Sequence, residues 1–186
     1  MFRAVVTVKS LVVCSMLGRS IDANTANLVT LLRETLGKSA GALCAQAVFM
    51  TTTFAEVEAL TEKVIGCAIE VHRALGPGLL ESVYRDCLVI EMRQQGLRVK
   101  SEQCLAFDYK GERISGALKL DLLVNDCVVV ELKAIETLHS IHSAQVITYL
   151  KISGYPAGLL MNFNSMTLKT GLKRQDHPDR YANKRA

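Results

Sequence analysis

Asp121, Glu131 and Lys133 stand in the spacing D-x9-E-x-K, inside two otherwise apolar runs, Leu118–Val124 and Val128–Lys133. Two carboxylates brought to about 5 Å across neighbouring strands repel each other, and a divalent cation between them turns that repulsion into coordination. Mg2+ or Mn2+ suits such an oxygen donor set and keeps waters, one of which can serve as a nucleophile. A lysine beside that water can orient or deprotonate it and offset charge on a phosphorane-like transition state. The chemistry implied is phosphodiester hydrolysis. The same residues also fit a solvated strand face with two cross-strand ion pairs, and spacing alone favours that plainer account.

Register decides whether the charges meet. If the turn were the two residues Asn125-Asp126, Asp121 would face Val130 and Glu131 would share a face with Leu118 and Leu120. With a three-residue loop, Asn125-Asp126-Cys127, Asp121 faces Glu131 and Lys119 faces Lys133. Leu118, Leu120, Leu122, Val124, Val128, Val130 and Leu132 then form one apolar face, and Lys119, Asp121, Glu131 and Lys133 lie on the other. A slip of one residue inverts every side chain, so the second register is the one expected.

The elements that must hold this hairpin follow from periodicity. Thr53-Phe54-Ala55-Glu56 is a capping box. Behind it, Val57, Leu60, Val64, Ala68, Val71 and Leu75 step by three or four, predicting a helix that ends at Gly76-Pro77-Gly78. A second helix is expected over about Leu79–Gln95, with Leu80, Val83, Cys87 and Ile90 inward and Gly96 as its stop. Period-two patterning then predicts strands at Leu97–Lys100, Cys104–Tyr109, Leu118–Val124 and Val128–Lys133, with Lys110-Gly111-Glu112 as a turn. A third helix over Ser140–Ser153, a strand over Gly158–Phe163 and a frayed polar tail from Lys173 complete the chain. This order predicts an α/β (α+β) fold, a central sheet flanked by helices.

The first 49 residues read differently. They hold one amphipathic run, Asn27–Leu36, and a Gly/Ala/Ser-rich stretch, Gly37–Ala45. The compact domain is expected to begin at Met50, with residues 1–49 an upstream extension or a poorly ordered appendage; an N-terminal helical arm is the alternative. The opening apolar stretch faintly resembles a signal peptide, but Lys9 interrupts it and no clear cleavage site follows. No run reaches the roughly 18 apolar residues of a spanning helix. Six cysteines without CxxC or zinc spacing fit a reduced cytoplasmic protein. The net charge is +4, but residues 1–49, with five basic and two acidic side chains, carry +3 of it. The remainder is near neutral, so pI is no argument for nucleic acid.

Beyond the hairpin, Gly78-Leu79-Leu80-Glu81-Ser82-Val83-Tyr84 reads as GxxExxY, and the sequence resembles the family named for that heptad, a branch of the PD-(D/E)XK nuclease superfamily. The resemblance covers about 54–174 in ordered blocks: LGPGLLESVY, LDLLV, VVELKAIE, HSAQVITYLK, LLMNFNS and LKTGLKR. It implies a mixed sheet with a restriction-endonuclease-like core over 50–174 and a polar tail over 175–186. It also implies Asp121 and Glu131 as metal-binding carboxylates, Lys133 as the water- and phosphate-contacting lysine, and Glu81 as a helical glutamate completing the site. Gln145 and Tyr149 resemble the QxxxY element of recombination-type nucleases. Leu120 stands where proline opens the short motif, which makes that motif alone less diagnostic.

Each helical residue also has a structural reading. Glu81 and Arg85 could form an i,i+4 pair, Tyr84 is read as a core aromatic with its hydroxyl tied down, and His142, Gln145 and Tyr149 form a packing seam. His72 suits the C-terminal dipole of its helix. The leading function is a Mg2+- or Mn2+-dependent nuclease acting on DNA, less readily on RNA, through metal-activated water, without membrane association. The alternative is a catalytically inactive module of the same fold that binds nucleic acid or a protein partner. A small-molecule enzyme has no support from a phosphate loop or a nucleophile–base pair.

Overall fold

The computed structural model describes residues 52–179. The expected extension over 1–49, its run Asn27–Leu36, the start at Met50 and the end of the tail lie outside them. Helix α1 spans Phe54–Leu75 and opens on the expected capping box: Thr53 N–H donates to Glu56 Oε2 at 2.7 Å, and Thr53 Oγ1 accepts from Glu56 N–H at 3.3 Å. Its buried stripe is Val57, Thr61, Val64, Cys67, Ala68 and Val71. Leu60 is half-buried and Leu75 exposed, contrary to the periodic reading. Thr61 can take an inward place because its hydroxyl donates to the Val57 carbonyl at 2.6 Å, satisfying the polar atom within the helix.

Helix α2, Glu81–Gln94, is rotated from expectation. Its buried residues are Tyr84, Leu88, Val89 and Met92, whereas Leu80 and Ile90, expected inside, are 74% and 57% exposed. Val83 is exposed as well, and Cys87 half-buried. The aromatic sets the rotation: Tyr84 stacks on Phe163 with centroids 4.6 Å apart, and Leu88 and Met92 follow it at helical spacing.

Strand β1, Val99–Tyr109, is one strand where two were expected, and β2 runs Glu112–Val124, starting at Glu112 rather than Leu118. Lys110 and Gly111, both at positive φ, make a two-residue hairpin turn, so Glu112 joins the strand. The expected gap between Lys100 and Cys104 is a local irregularity, with Glu102 at φ 54. Strand β3, Val128–Lys133, pairs antiparallel with β2; helix α3, Ser140–Ser153, crosses over to β4, Ala157–Asn162, parallel to β3. A 3-10 turn at Leu168–Gly171 leads to β5, Leu172–Asp176, antiparallel to β4. The tail expected from Lys173 therefore begins inside a strand. LKRQD shows no apolar alternation, and Arg174 is held instead by ion pairs to Glu58 of α1 and to Asp176.

The result is a mixed α/β fold with five strands in spatial order β1-β2-β3-β4-β5. Nearly every residue of β3 and every residue of β4 is buried. Successive side chains point to opposite faces, so both faces of the sheet centre are covered. Val146, Tyr149 and Leu150 of α3 pack on Leu120, Leu123, Val129 and Leu160; α1 and α2 pack on each other and also meet β3. Among the described residues no helix is long and apolar enough to cross a membrane.

Candidate active site

The loop between β2 and β3 is the three-residue one, with Val124 opposite Val128, Leu123 opposite Val129 and Leu122 opposite Val130. Asn125 and Asp126 both adopt positive φ, a conformation these two residue types tolerate because their short polar side chains bond locally. The Asn125 Oδ1 also accepts from Arg98 N–H at 2.8 Å, tying the loop to the chain just before β1. The expected faces do not hold along the whole of β2: Leu120, with Leu118 packed against it, lies under α3 in one cluster with Leu123 and Val129, and the expected Asp121–Glu131 and Lys119–Lys133 pairings lie beyond the ladder, which ends at Leu122–Val130.

There the ladder gives way to side-chain bonding. The Asp121 carboxylate accepts the Leu132 backbone N–H at 2.8 Å, which fixes the acid beside the strand carrying Glu131. Glu131 and Lys133, two apart on β3, share a face. Lys133 Nζ lies 2.6 Å from Glu131 Oε1. Glu131 is only 2% exposed. Burial, then the neighbouring Asp121 charge, pushes its carboxyl up from 4.5 to about 7, with Lys133 acting against them and Glu81 adding to the rise. Burial opposes the charge on Lys133, yet its bond to Glu131 and the fields of Glu131, Glu81 and Asp121 hold its ammonium above the ordinary value.

Glu81 arrives from the other side as the first residue of α2. Burial raises its carboxyl, opposed by Lys133, raised further by Asp121, and lowered by Arg85 and a bond to the Ala134 backbone. It therefore reaches the same cluster, and the simple Glu81–Arg85 surface pair is not its main environment. The heptad's tyrosine explains how. Tyr84 hydroxyl donates to the Gly76 carbonyl at 2.6 Å and accepts from Leu79 N–H at 3.1 Å, latching the loop whose Gly78 sits at φ 103. The tyrosine is thus a positioning residue: it fixes the loop, and the loop fixes where α2 begins. Tyr84→Phe is expected to cost about 1–2 kcal/mol in urea unfolding, because one donor and one acceptor lose their shared partner.

Gln145 Nε2 donates to Tyr149 hydroxyl at 2.8 Å, one turn apart on α3, and Tyr149 packs with Leu120 and Leu123 on either side of Asp121 in β2. The pair supports the strand that carries the acid. His72 bonds across the fold rather than only capping its helix, its Nε2 lying 2.8 Å from the Ser165 carbonyl. Sequence reasoning missed Asn162. This buried side chain accepts from Ile135 N–H at 3.1 Å and donates to the Ile135 carbonyl at 2.7 Å, holding the chain just beyond Lys133. A lone polar residue ending the apolar strand AGLLMN was its available signal.

The residues fit a hard divalent cation. Glu131 Oε2 is buried without a hydrogen-bond partner, a costly state for a carboxylate oxygen unless another ligand satisfies it. The donors nearby are carboxylates, the type that Mg2+ and Mn2+ prefer. Among the described residues no three His, Cys, Asp or Glu side chains form a ready metal-binding group. Asp121, Glu131 and Glu81 are the carboxylates whose charges gather around Lys133.

A family model of the PD-(D/E)XK nuclease superfamily matches residues 58–175, more than half of the chain. No curated protein and no solved structure matches.

Proposed function

The chain belongs to the PD-(D/E)XK nuclease superfamily, and from that premise we propose that it hydrolyses phosphodiester bonds in DNA, and less readily in RNA, with Mg2+ or Mn2+. The observation that carries this reading is the Glu131 oxygen buried without a partner beside Asp121 and Lys133. Asp121 and Glu131 would hold the cation, and Glu81 would complete the site from the start of α2. When bound, the cation supplies positive charge to a phosphoryl oxygen and lowers the pKa of a water. Lys133, kept charged by its acidic neighbours, orients the attacking water and offsets charge that develops on the phosphoryl oxygens. Gln145 and Tyr149 hold β2, and with it Asp121, in place.

The GxxExxY branch is part of the same proposal, supported by the Tyr84 latch and the placing of Glu81. A domain over 50–174, with 1–49 upstream of it, is a further part. A cytoplasmic setting is supported by free thiols at Cys67, Cys87 and Cys104.

The near-neutral charge outside residues 1–49 favours a second reading, an inactive module that binds nucleic acid or a protein. Supercoiled plasmid, duplex and single-stranded oligonucleotides and RNA, each incubated with Mg2+, Mn2+ or EDTA, separate the two. Cleavage dependent on either metal is expected. Intact substrates throughout would hand the chain to the second reading.

A further inference from the structure

Beside the acidic cluster lies a second charged group that the hydrolytic site does not use. Arg85 sits one turn after Glu81 on α2, and Lys119 two residues before Asp121 on β2. Both converge on Glu102 of β1: Lys119 Nζ lies 2.6 Å from Glu102 Oε1, and Arg85 Nη1 lies 3.6 Å from the same oxygen. The flanking pairs Ser101–Leu122 and Gln103–Leu120 set Glu102 opposite Asp121 in the sheet.

Glu102 does not sit there as an ordinary strand residue. Its φ is 54, a left-handed conformation that a β-strand glutamate rarely adopts. Residues held in such sparsely populated backbone conformations cluster at active sites and ligand clamps. Here the carboxylate is turned to one arginine and one lysine at the rim of the candidate site. An arginine fork and a lysine ammonium, side by side, are the groups that grip a phosphate of a nucleic-acid backbone.

We propose that Arg85 and Lys119 form a subsite for a backbone phosphate of DNA flanking the scissile one, and that Glu102 is an internal anion holding the two cations until the phosphate displaces it. This rests on the nuclease reading above. It also answers that reading's weak point, since a near-neutral domain can bind DNA if its few cations are concentrated where the strand passes. A purely structural ion-pair network predicts something different. Removing Glu102 would then only break two ion pairs, whereas in a phosphate subsite it removes the phosphate's competitor.

The test is equilibrium binding of a fluorescein-labelled duplex to the full chain in Ca2+ across a KCl series, with cleavage of the same duplex in Mg2+ and Mn2+ run in parallel. Glu102→Gln is expected to bind about threefold more tightly than the unaltered protein. The double variant Arg85→Gln/Lys119→Gln is expected to bind about tenfold more weakly at low salt. Its slope of log K against log[KCl] should be shallower by about 0.9, as for one lost phosphate contact. Lys119→Arg keeps charge and affinity, which guards against a folding defect, and thermal melts of every variant check the same point. Unchanged slope in the double variant, or weaker binding by Glu102→Gln, overturns the subsite while metal-dependent cleavage leaves the nuclease reading standing. Neither binding nor cleavage by the unaltered protein removes both.

Discussion

Asp121→Asn is expected to lower metal-dependent cleavage by at least about 10³-fold, some 4 kcal/mol of transition-state stabilisation, while the protein stays folded. The asparagine keeps the shape of the side chain and an oxygen to accept the Leu132 N–H, which Asp121 holds at 2.8 Å. What disappears is one of the two charges that would bind the cation. The loss should not be a stability effect, because Asp121 is the second cause, after burial, of the raised Glu131 carboxyl. Removing that repulsion should leave the metal-free melting temperature unchanged or higher. Activity and stability therefore move in different directions, and a damaged fold cannot imitate the pattern. Single-turnover cleavage and calorimetry on the same preparations measure both. An asparagine variant that keeps a tenth of the rate would remove Asp121 from the chemistry.

How much of this was legible beforehand depended on whether the deciding interaction was local. The Thr53–Glu56 box, the extent of α3 and the three-residue loop at Asn125–Cys127 are set within a few residues or by strict alternation, and all stand as read. The competing register would bury charges among leucines, and the chain avoids it. Patterning was weaker where an outside partner chose the answer. The inward face of α2 was read from Leu80, Val83 and Ile90, but Tyr84 stacking on Phe163, in a distant segment, turns the other side inward. β5 was invisible because its polar residues are held by Glu58 of α1 and by pairing with β4.

The candidate site shows the same division. Asp121, Glu131 and Lys133 belong to one hairpin, and their meeting could be derived from it. Glu81 could not be brought there by any local pattern, since its position depends on the Tyr84 latch and the glycine-rich loop. Only the resemblance to a family points to it. Asn162, whose side chain clamps Ile135 from the neighbouring strand, had no local signature beyond its polarity. The strict alternation read for β2 also fails, because Leu120 and Leu123, three apart, lie under α3 in one cluster with Val129.

The burial of Glu131 makes the metal-free protein sensitive to pH in a definite direction. Its carboxyl rises from 4.5 to about 7 on folding, first through burial and then through Asp121. The folded state therefore holds this proton more tightly than the unfolded chain. Stability from this group is complete below about pH 4.5 and is lost as pH climbs to about 7, a change of about 3 kcal/mol. The raised Glu81 carboxyl works with the same sign. In EDTA, urea unfolding should show stability falling between pH 5 and about 7.5, and Glu131→Gln should flatten most of that fall, since the amide has no proton to release. A cation competes with the same proton. Its apparent affinity, followed by melting temperature against Mg2+ or Mn2+ concentration, should rise with pH and level off above about 7. Equal slopes in the unaltered protein and in Glu131→Gln would show that the acid titrates elsewhere. A metal affinity flat across this range would mean that the cation does not bind at Glu131, and the buried oxygen would then have to be explained without it.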